Sequence, residues 1–304
     1  MAPYVLEMNG SSIINIKKYN GSAWVALPTT GLNLTSISNG YGSSICIDKL
    51  DNLYLAERPG ATQVYMLAPG GSSWSAVGNL DFGGNAGSDF CTPKILTDQG
   101  NNPYVMTFNA GAKQSVYKLN AGTWTEIAPP NVSAYSDMCI FNNTVYYVTP
   151  QSTMILAYQY NGSSWSLVGT NISPGQMTST KYFSIYADAA NVYVGFVDTS
   201  NAVGVYYYNG SNWTSAGAAT GSGTVNQPMT GIYTIIGNNG NIYVSSPLGY
   251  IYKYTASWSQ HKTFIQTTGG NSGIGMVFNS DRSKIFLYDS NPSSGGKTVM
   301  WYSP

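Results

Sequence analysis

Apolar and polar residues alternate along this chain in short runs such as NLYLAE, SVYKLN and NVYVGF. Gly, Asn and Asp interrupt each run. A period of two predicts β-strands with one side chain up and the next down, and the i, i+3, i+4 spacing of an amphipathic helix is absent.

The tryptophans show that these strands belong to a repeat. Trp24, Trp74, Trp124, Trp165, Trp213 and Trp258 recur at intervals of 41 to 50 residues, in matching contexts such as YNGSAW, YNGSSW and YNGSNW. That interval is the length of one four-stranded propeller blade. Each repeat divides in the same way. A first apolar strand ends near Asp or Asn (SICID, KILTD, MCIF, SIYAD, TIIGN, GMVFN), and a tight turn follows. A second strand carries Tyr or Phe (NLYLAE, NPYVMTF, TVYYVT, NVYVGF, NIYVSS, KIFLYD). A third follows a variable loop (QVYMLA, SVYKLN, ILAYQY, VGVYYY, YIYKY, TVMWYS). A Gly-containing turn, often Asn-Gly, then leads into the Trp-bearing fourth strand. Asn-Gly suits the positive φ values of two-residue hairpins, so the strands are predicted to be antiparallel neighbours.

A meander of this kind cannot bury both faces alone, whereas radial packing of repeats does so and leaves only short edges. The fold class expected is all-β, a single β-propeller over residues 1–304 with four-stranded antiparallel blades. The second-plus-third-strand hairpin occurs seven times, from Tyr4 to Phe286, but the first strand and the Trp strand occur six times each. The count favours seven blades with an incomplete or composite closing blade. Six blades plus an extra N-terminal hairpin is the alternative. The Trp and Tyr rings are expected to fill the spaces between blades.

Composition narrows the partners. Only 9 % of residues are charged, and thirteen basic residues balance thirteen acidic ones. No basic stripe is present for tracking phosphates, which argues against nucleic acid. No apolar run reaches the length needed to span a bilayer, so no membrane insertion is expected. The N-terminal MAPYVLEMNG reads as a repeat, without the charged and apolar regions of a signal peptide. Low charge with abundant Asn, Ser, Thr and Tyr suits contact with neutral polar ligands, and an extracellular, cell-surface or virion setting. Cys46 and Cys139 fall inside apolar strands as small hydrophobes, while Cys91 lies in a loop. Their spacing is not that of a metal site.

ICIDKLDNLYLAE (45–57), IIGNNGNIYVSS (235–246) and MVFNSDRSKIFLY (276–288) resemble NHL-type propeller repeats, and the NGSxW turn is similar to turns of lectin-type propellers. The resemblance implies the architecture across the whole chain. The Kelch double glycine, the sialidase Asp-box and the terminal Trp-Asp of WD repeats are absent, so no family's functional residues carry over.

Binding is expected on the face that holds the long polar loops 29–43, 79–90, 170–182 and 218–231. One position, at the end of the second strand, varies from repeat to repeat: Glu7, Glu57, Thr107, Thr149, Phe196, Ser246 and Asp289. This mixture suggests either one asymmetric central site or a solvated rim. Glu7, Glu57, Thr107, Thr149, Ser246 and Asp289, with the neighbouring Arg58, are the candidate ligand-binding residues. No catalytic or metal-ligating set emerges. Asp81, Asp89, Asp137 and Asp198 are further acids within reach of this face by their place in the repeat, but turn formation accounts for scattered loop aspartates. The single histidine, His261, has no G-x-S-x-G elbow to serve. No cofactor is indicated, and a Ca²⁺ ion has no D-x-D-x-D-G loop to hold it.

These observations point to a non-enzymatic recognition module for a glycan, another neutral polar ligand or a protein surface. A structural or assembly protein, including a homo-oligomer, is one alternative. A propeller hydrolase or lyase is another, with the weight of the residues against an enzyme.

Overall fold

The computed structural model describes residues 4–9, 13–32, 43–57, 62–80, 93–108, 113–133, 135–174, 183–197, 203–219, 235–238, 241–245, 250–263, 274–278, 285–289 and 299–302. Every regular element among them is a β-strand. The chain forms two compact units, one of residues 2–134 with 142–144, the other of residues 135–141 with 145–304.

The first unit holds three sheets. The first comprises β1 (Tyr4–Asn9), β2 (Ile13–Tyr19) and β3 (Trp24–Ala26). The second comprises β4 (Ser44–Ile47), β5 (Leu53–Glu57), β6 (Thr62–Leu67) and β7 (Ser75–Leu80). The third comprises β8 (Lys94–Thr97), β9 (Pro103–Phe108), β10 (Gln114–Asn120) and β11 (Thr123–Glu126). The second unit holds four. The fourth sheet is β12 (Asp137–Phe141), β13 (Thr144–Gln151), β14 (Met154–Tyr160) and β15 (Trp165–Leu167). The fifth is β16 (Phe183–Ala187), β17 (Val192–Val197), β18 (Val203–Tyr208) and β19 (Trp213–Ala219). The sixth is β20 (Ile235–Asn238), β21 (Asn241–Ser245), β22 (Tyr250–Tyr254) and β23 (Trp258–Thr263). The seventh is β24 (Ile274–Phe278), β25 (Ile285–Asp289) and β26 (Val299–Tyr302).

Strands pair in chain order within every sheet. The seven hairpins counted in the sequence thus become seven sheets. The N-terminal segment is more than a hairpin, because β3 pairs with β2 and sets Trp24 opposite Tyr19. The first sheet opens with the second strand of the unit, and the seventh ends with the third.

The turn between first and second strands is built on an Asp. The Asp98 carboxylate accepts from the backbone N–H groups of Gly100 (2.8 Å) and Asn102 (2.9 Å). Its other oxygen accepts from the Asn102 amide (2.8 Å) and the Tyr104 hydroxyl (3.3 Å). Asp48 does the same with Leu50, Asn52 and Tyr54. Asp188 likewise accepts from the Ala190 and Asn191 N–H groups and the Tyr193 hydroxyl, but here the Asn191 amide donates to that hydroxyl (2.9 Å) and not to the carboxylate. An Asp side chain that satisfies the turn's own N–H groups fixes the chain reversal without help from distant residues.

The turn before the Trp strand differs from the expectation. In the Asn20, Asn161 and Asn209 turns only the glycines Gly21, Gly162 and Gly210 take positive φ, at 103°, 101° and 94°. Each Asn, one residue past the end of its strand, keeps out of the left-handed region and donates its N–H across the turn, to Ala23, Ser164 and Asn212 respectively. The central pair is therefore Gly-Ser, and the Asn side chain braces the turn instead of occupying it.

Within each unit, neighbouring sheets face one another with apolar residues. Tyr54, Ala56, Val64 and Leu80 of the second sheet meet Ile95, Val105 and Tyr117 of the third. Val148, Ile155 and Ala157 of the fourth meet Ile185, Val194 and Phe196 of the fifth. A Cβ at Gly195 would lie 2.4 Å from Cδ1 of Ile235 of the sixth sheet, so that side chain packs directly over the glycine. The first strands, paired on one side only, also gain partners from the preceding sheet. The N–H of Ile95 donates to Ser44 Oγ (3.2 Å), and that of Ile185 to Asp137 Oδ2 (3.0 Å). These bonds satisfy buried N–H groups that the ladder leaves open. Asp137, one of the candidate acids, is committed to this structural bond.

Tryptophans close the spaces from outside. The indole Nε1 of Trp124 donates to the Val77 carbonyl (2.7 Å), that of Trp213 to Val168 (2.8 Å) and that of Trp258 to Ala216 (2.7 Å). Each bond joins the fourth strand of one sheet to the edge of the sheet before it, as expected of packing residues.

Candidate functional site

The variable position at the end of the second strand is placed by strand alternation. In the second sheet Leu53, Leu55 and Glu57 share one face of β5, while Tyr54 and Ala56 share the other. Leu53 and Leu55 pack with Ile16 of the first sheet, so Glu57 points toward the first sheet. In the third sheet Thr107 points toward the second, where its hydroxyl meets that of Thr62 at 2.5 Å. Phe196 packs on the fourth sheet. These side chains thus enter the successive spaces between neighbouring sheets.

The described members are buried, not solvated: Glu57 0 %, Thr107 3 %, Thr149 0 % and Phe196 6 % exposed. Thr149 accepts from the Ser136 hydroxyl at 3.2 Å, which in turn accepts from Tyr147 at 2.7 Å. Glu7 stands opposite Asn15 in the β1–β2 register, and Asp289 opposite Ile274 in β24–β25. Arg58 and Ser246 lie outside the described residues, as do Asp81, Asp89, Asp198 and Cys91. His261 falls within β23.

Glu57 carries the most unusual chemistry. Neither carboxylate oxygen makes a hydrogen bond within normal geometry. Burial pushes its pKa up to about 7, and the nearby Tyr65 hydroxyl opposes the shift. A carboxyl raised in this way can donate as an acid when protonated and accept as a carboxylate when ionised. Gln63 stands directly opposite in the β5–β6 register and accepts from the Tyr65 hydroxyl. Glu57, Gln63 and Tyr65 form one polar group at the loop end of the space between the first and second sheets. Thr62, Thr107 and Ser115 form another, between the second and third, and the buried Ser115 Oγ has no hydrogen-bond partner. Thr62, Gln63, Tyr65 and Ser115 were not among the candidates from the sequence. Their signal is register: each sits on the third strand beside the variable end of the second.

No group of three His, Cys, Asp or Glu side chains able to hold a metal occurs among the described residues. Neither Cys46 nor Cys139 is in a disulfide. Burial, and next the charge of Asp48, push the Cys46 thiol well above its ordinary range, which makes it inert at neutral pH.

No family model matches this chain, and no curated protein sequence matches it. Solved structures do. A lectin from Burkholderia pseudomallei aligns over 99 % of this chain and 91 % of its own, with a TM-score of 0.66 and 13 % identity. The polysaccharide lyase Uly1 aligns over 98 % and 86 %, with a TM-score of 0.61 and 10 % identity. The SapL1 lectin, solved with α-methyl fucoside, aligns over 88 % and 94 %, with a TM-score of 0.57 and 12 % identity. At such identities the likeness speaks for architecture. The chain is an all-β propeller built from repeated antiparallel sheets, the fold it shares with these lectins.

Proposed function

We propose that this propeller is a non-enzymatic recognition module for a glycan or another neutral polar ligand, acting on a cell surface or virion. The observation that carries the reading is Glu57: a buried carboxyl whose oxygens make no hydrogen bond within normal geometry, with Tyr65 close by and Gln63 opposite, at the loop-bearing end of its sheet. Leaving a buried polar group unmatched costs about 1–3 kcal/mol, and a ligand hydroxyl offers the missing bonds. The lectin folds that this chain resembles, one of them solved with a fucoside, support the same class of ligand. So does a sequence poor in charge and rich in Tyr, Asn and Ser. The test is a glycan-array screen of the purified chain, with and without Ca²⁺. Binding to neutral glycans is expected, and an array blank in both conditions overturns the reading.

A second reading, a hydrolase or lyase, has two observations in its favour. A carboxyl whose pKa burial raises suits a general acid or base, and the lyase Uly1 shares the fold. Prolonged incubation with each bound glycan separates the two. Intact glycan supports recognition, and shortened or unsaturated products support catalysis.

A further inference from the structure

We propose that Asn20 and Asn161 are modification sites, where the folded turn promotes spontaneous conversion of the amide to aspartate and isoaspartate.

Three described turns of this chain share the tripeptide Asn-Gly-Ser, at Asn20, Asn161 and Asn209, while a fourth copy, Asn9-Gly10-Ser11, extends outside the described residues. The reaction begins when the backbone nitrogen of the Gly attacks the Asn side-chain carbon Cγ. Three features of the turn suit it. First, all three Asn-Gly pairs are exposed, and nothing lies within 4 Å of where a Cβ on Gly21, Gly162 or Gly210 would stand, so water and base reach the nitrogen. Second, the N–H groups of these glycines form no hydrogen bond, which leaves the nucleophile unengaged. Third, the Asn carbonyl oxygen is held by several donors. Asn20 Oδ1 accepts from Ser22 N (3.0 Å), Ser22 Oγ (3.0 Å) and Ala23 N (2.9 Å). Asn161 Oδ1 accepts from Ser163 N (3.0 Å), Ser163 Oγ (2.9 Å) and Ser164 N (3.0 Å). As the nitrogen attacks, negative charge grows on that oxygen, and donors already aimed at it stabilise the charge.

Base removes the Gly N–H proton, and the nitrogen forms a bond to Cγ. The Cγ–Nδ2 bond then breaks, and ammonia leaves with a proton from solvent. Water opens the resulting five-membered imide at either carbonyl. One opening restores the backbone as aspartate, and the other routes it through the side chain as isoaspartate. The net reaction is amide plus water giving carboxylate plus ammonium, with no oxidant or reductant.

Asn209 is the internal comparison. Its Oδ1 accepts from Ser211 N (3.0 Å) and Asn212 N (3.1 Å) but from no hydroxyl. Peptide mapping by mass spectrometry, after incubation at mildly alkaline pH, measures all three sites in one sample. Conversion at Asn20 and Asn161 is expected to run roughly threefold to tenfold faster than at Asn209, the worth of one exposed hydrogen bond. In concentrated urea the three identical tripeptides should react alike. Ser22→Ala and Ser163→Ala should slow their own sites to the pace of Asn209. Equal rates at the three sites in the folded protein overturn the proposal. So does conversion at Asn20 and Asn161 that is slower folded than in urea.

Discussion

The indole Nε1 of Trp74 donates a 2.8 Å hydrogen bond to the carbonyl oxygen of Pro28, which precedes it by one repeat. Trp74 is only 4 % exposed. The bond fastens the second sheet to the edge of the first and satisfies a carbonyl outside any ladder. Trp74→Phe keeps most of the ring and removes the donor. We expect a loss of about 1–2 kcal/mol, read as a lower denaturant midpoint. Trp124→Phe should cost a similar amount, because its bond to Val77 is the same device.

Glu57 should make stability fall as pH rises. Its folded pKa, about 7, lies above the ordinary value of 4.5. Below 4.5 the group is protonated in both folded and unfolded chains and contributes no penalty. Between 4.5 and 7 the folded chain holds more protons than the unfolded one, so raising the pH through that window destabilises the fold. The full penalty, on the order of 3 kcal/mol, is present above about pH 7. Glu57→Gln removes it. Chemical denaturation at mildly acidic and mildly alkaline pH should show the variant more stable than the parent only at the higher pH. A parallel pH dependence in both proteins would count against this account.

Ala121 sits at φ 47° in the β10–β11 hairpin, ahead of Gly122 at φ 81°. A left-handed conformation costs an L-residue other than Gly or Asn about 1–2 kcal/mol. Ala121→Asn should therefore raise the thermal midpoint, by a gain of about 0.5–1 kcal/mol. An unchanged or lower midpoint would show that the turn is not strained.

Asp98 is the acceptor of two backbone N–H groups, the Asn102 amide and the Tyr104 hydroxyl. Asp98→Ala leaves all of them without it and should cost about 2–3 kcal/mol. Asp98→Asn retains one acceptor oxygen and should cost less. Equal losses in the two variants would mean that the carboxylate acts through its charge and not through this geometry.

Much of this architecture is written locally and can be read from the chain. Trp74, Trp124, Trp213 and Trp258 mark the period because each serves the same contact in its own repeat. The Asp48–Asn52–Tyr54 and Asp98–Asn102–Tyr104 turns are legible because every partner lies within six residues. The site is harder to read, since it depends on which face of a strand meets which neighbour. Glu57 and Thr107 align in sequence, yet one faces Gln63 and Tyr65 and the other faces Thr62 from the preceding sheet. Ser44 and Asp137 resemble ordinary polar starts of strands, and only the packing of the next first strand shows that each accepts a buried N–H. The mixed residues at the strand ends read equally well as solvated rim or as site until burial separates the two.

The most direct test of the recognition reading compares the parent chain with Glu57→Gln on the same glycan array, at matched folded concentration. The account predicts that the parent binds one or more neutral glycans and that the variant, though more stable above neutral pH, loses that binding. Binding of equal strength in both proteins would contradict the role given to Glu57, and an array blank for the parent would contradict glycan recognition itself.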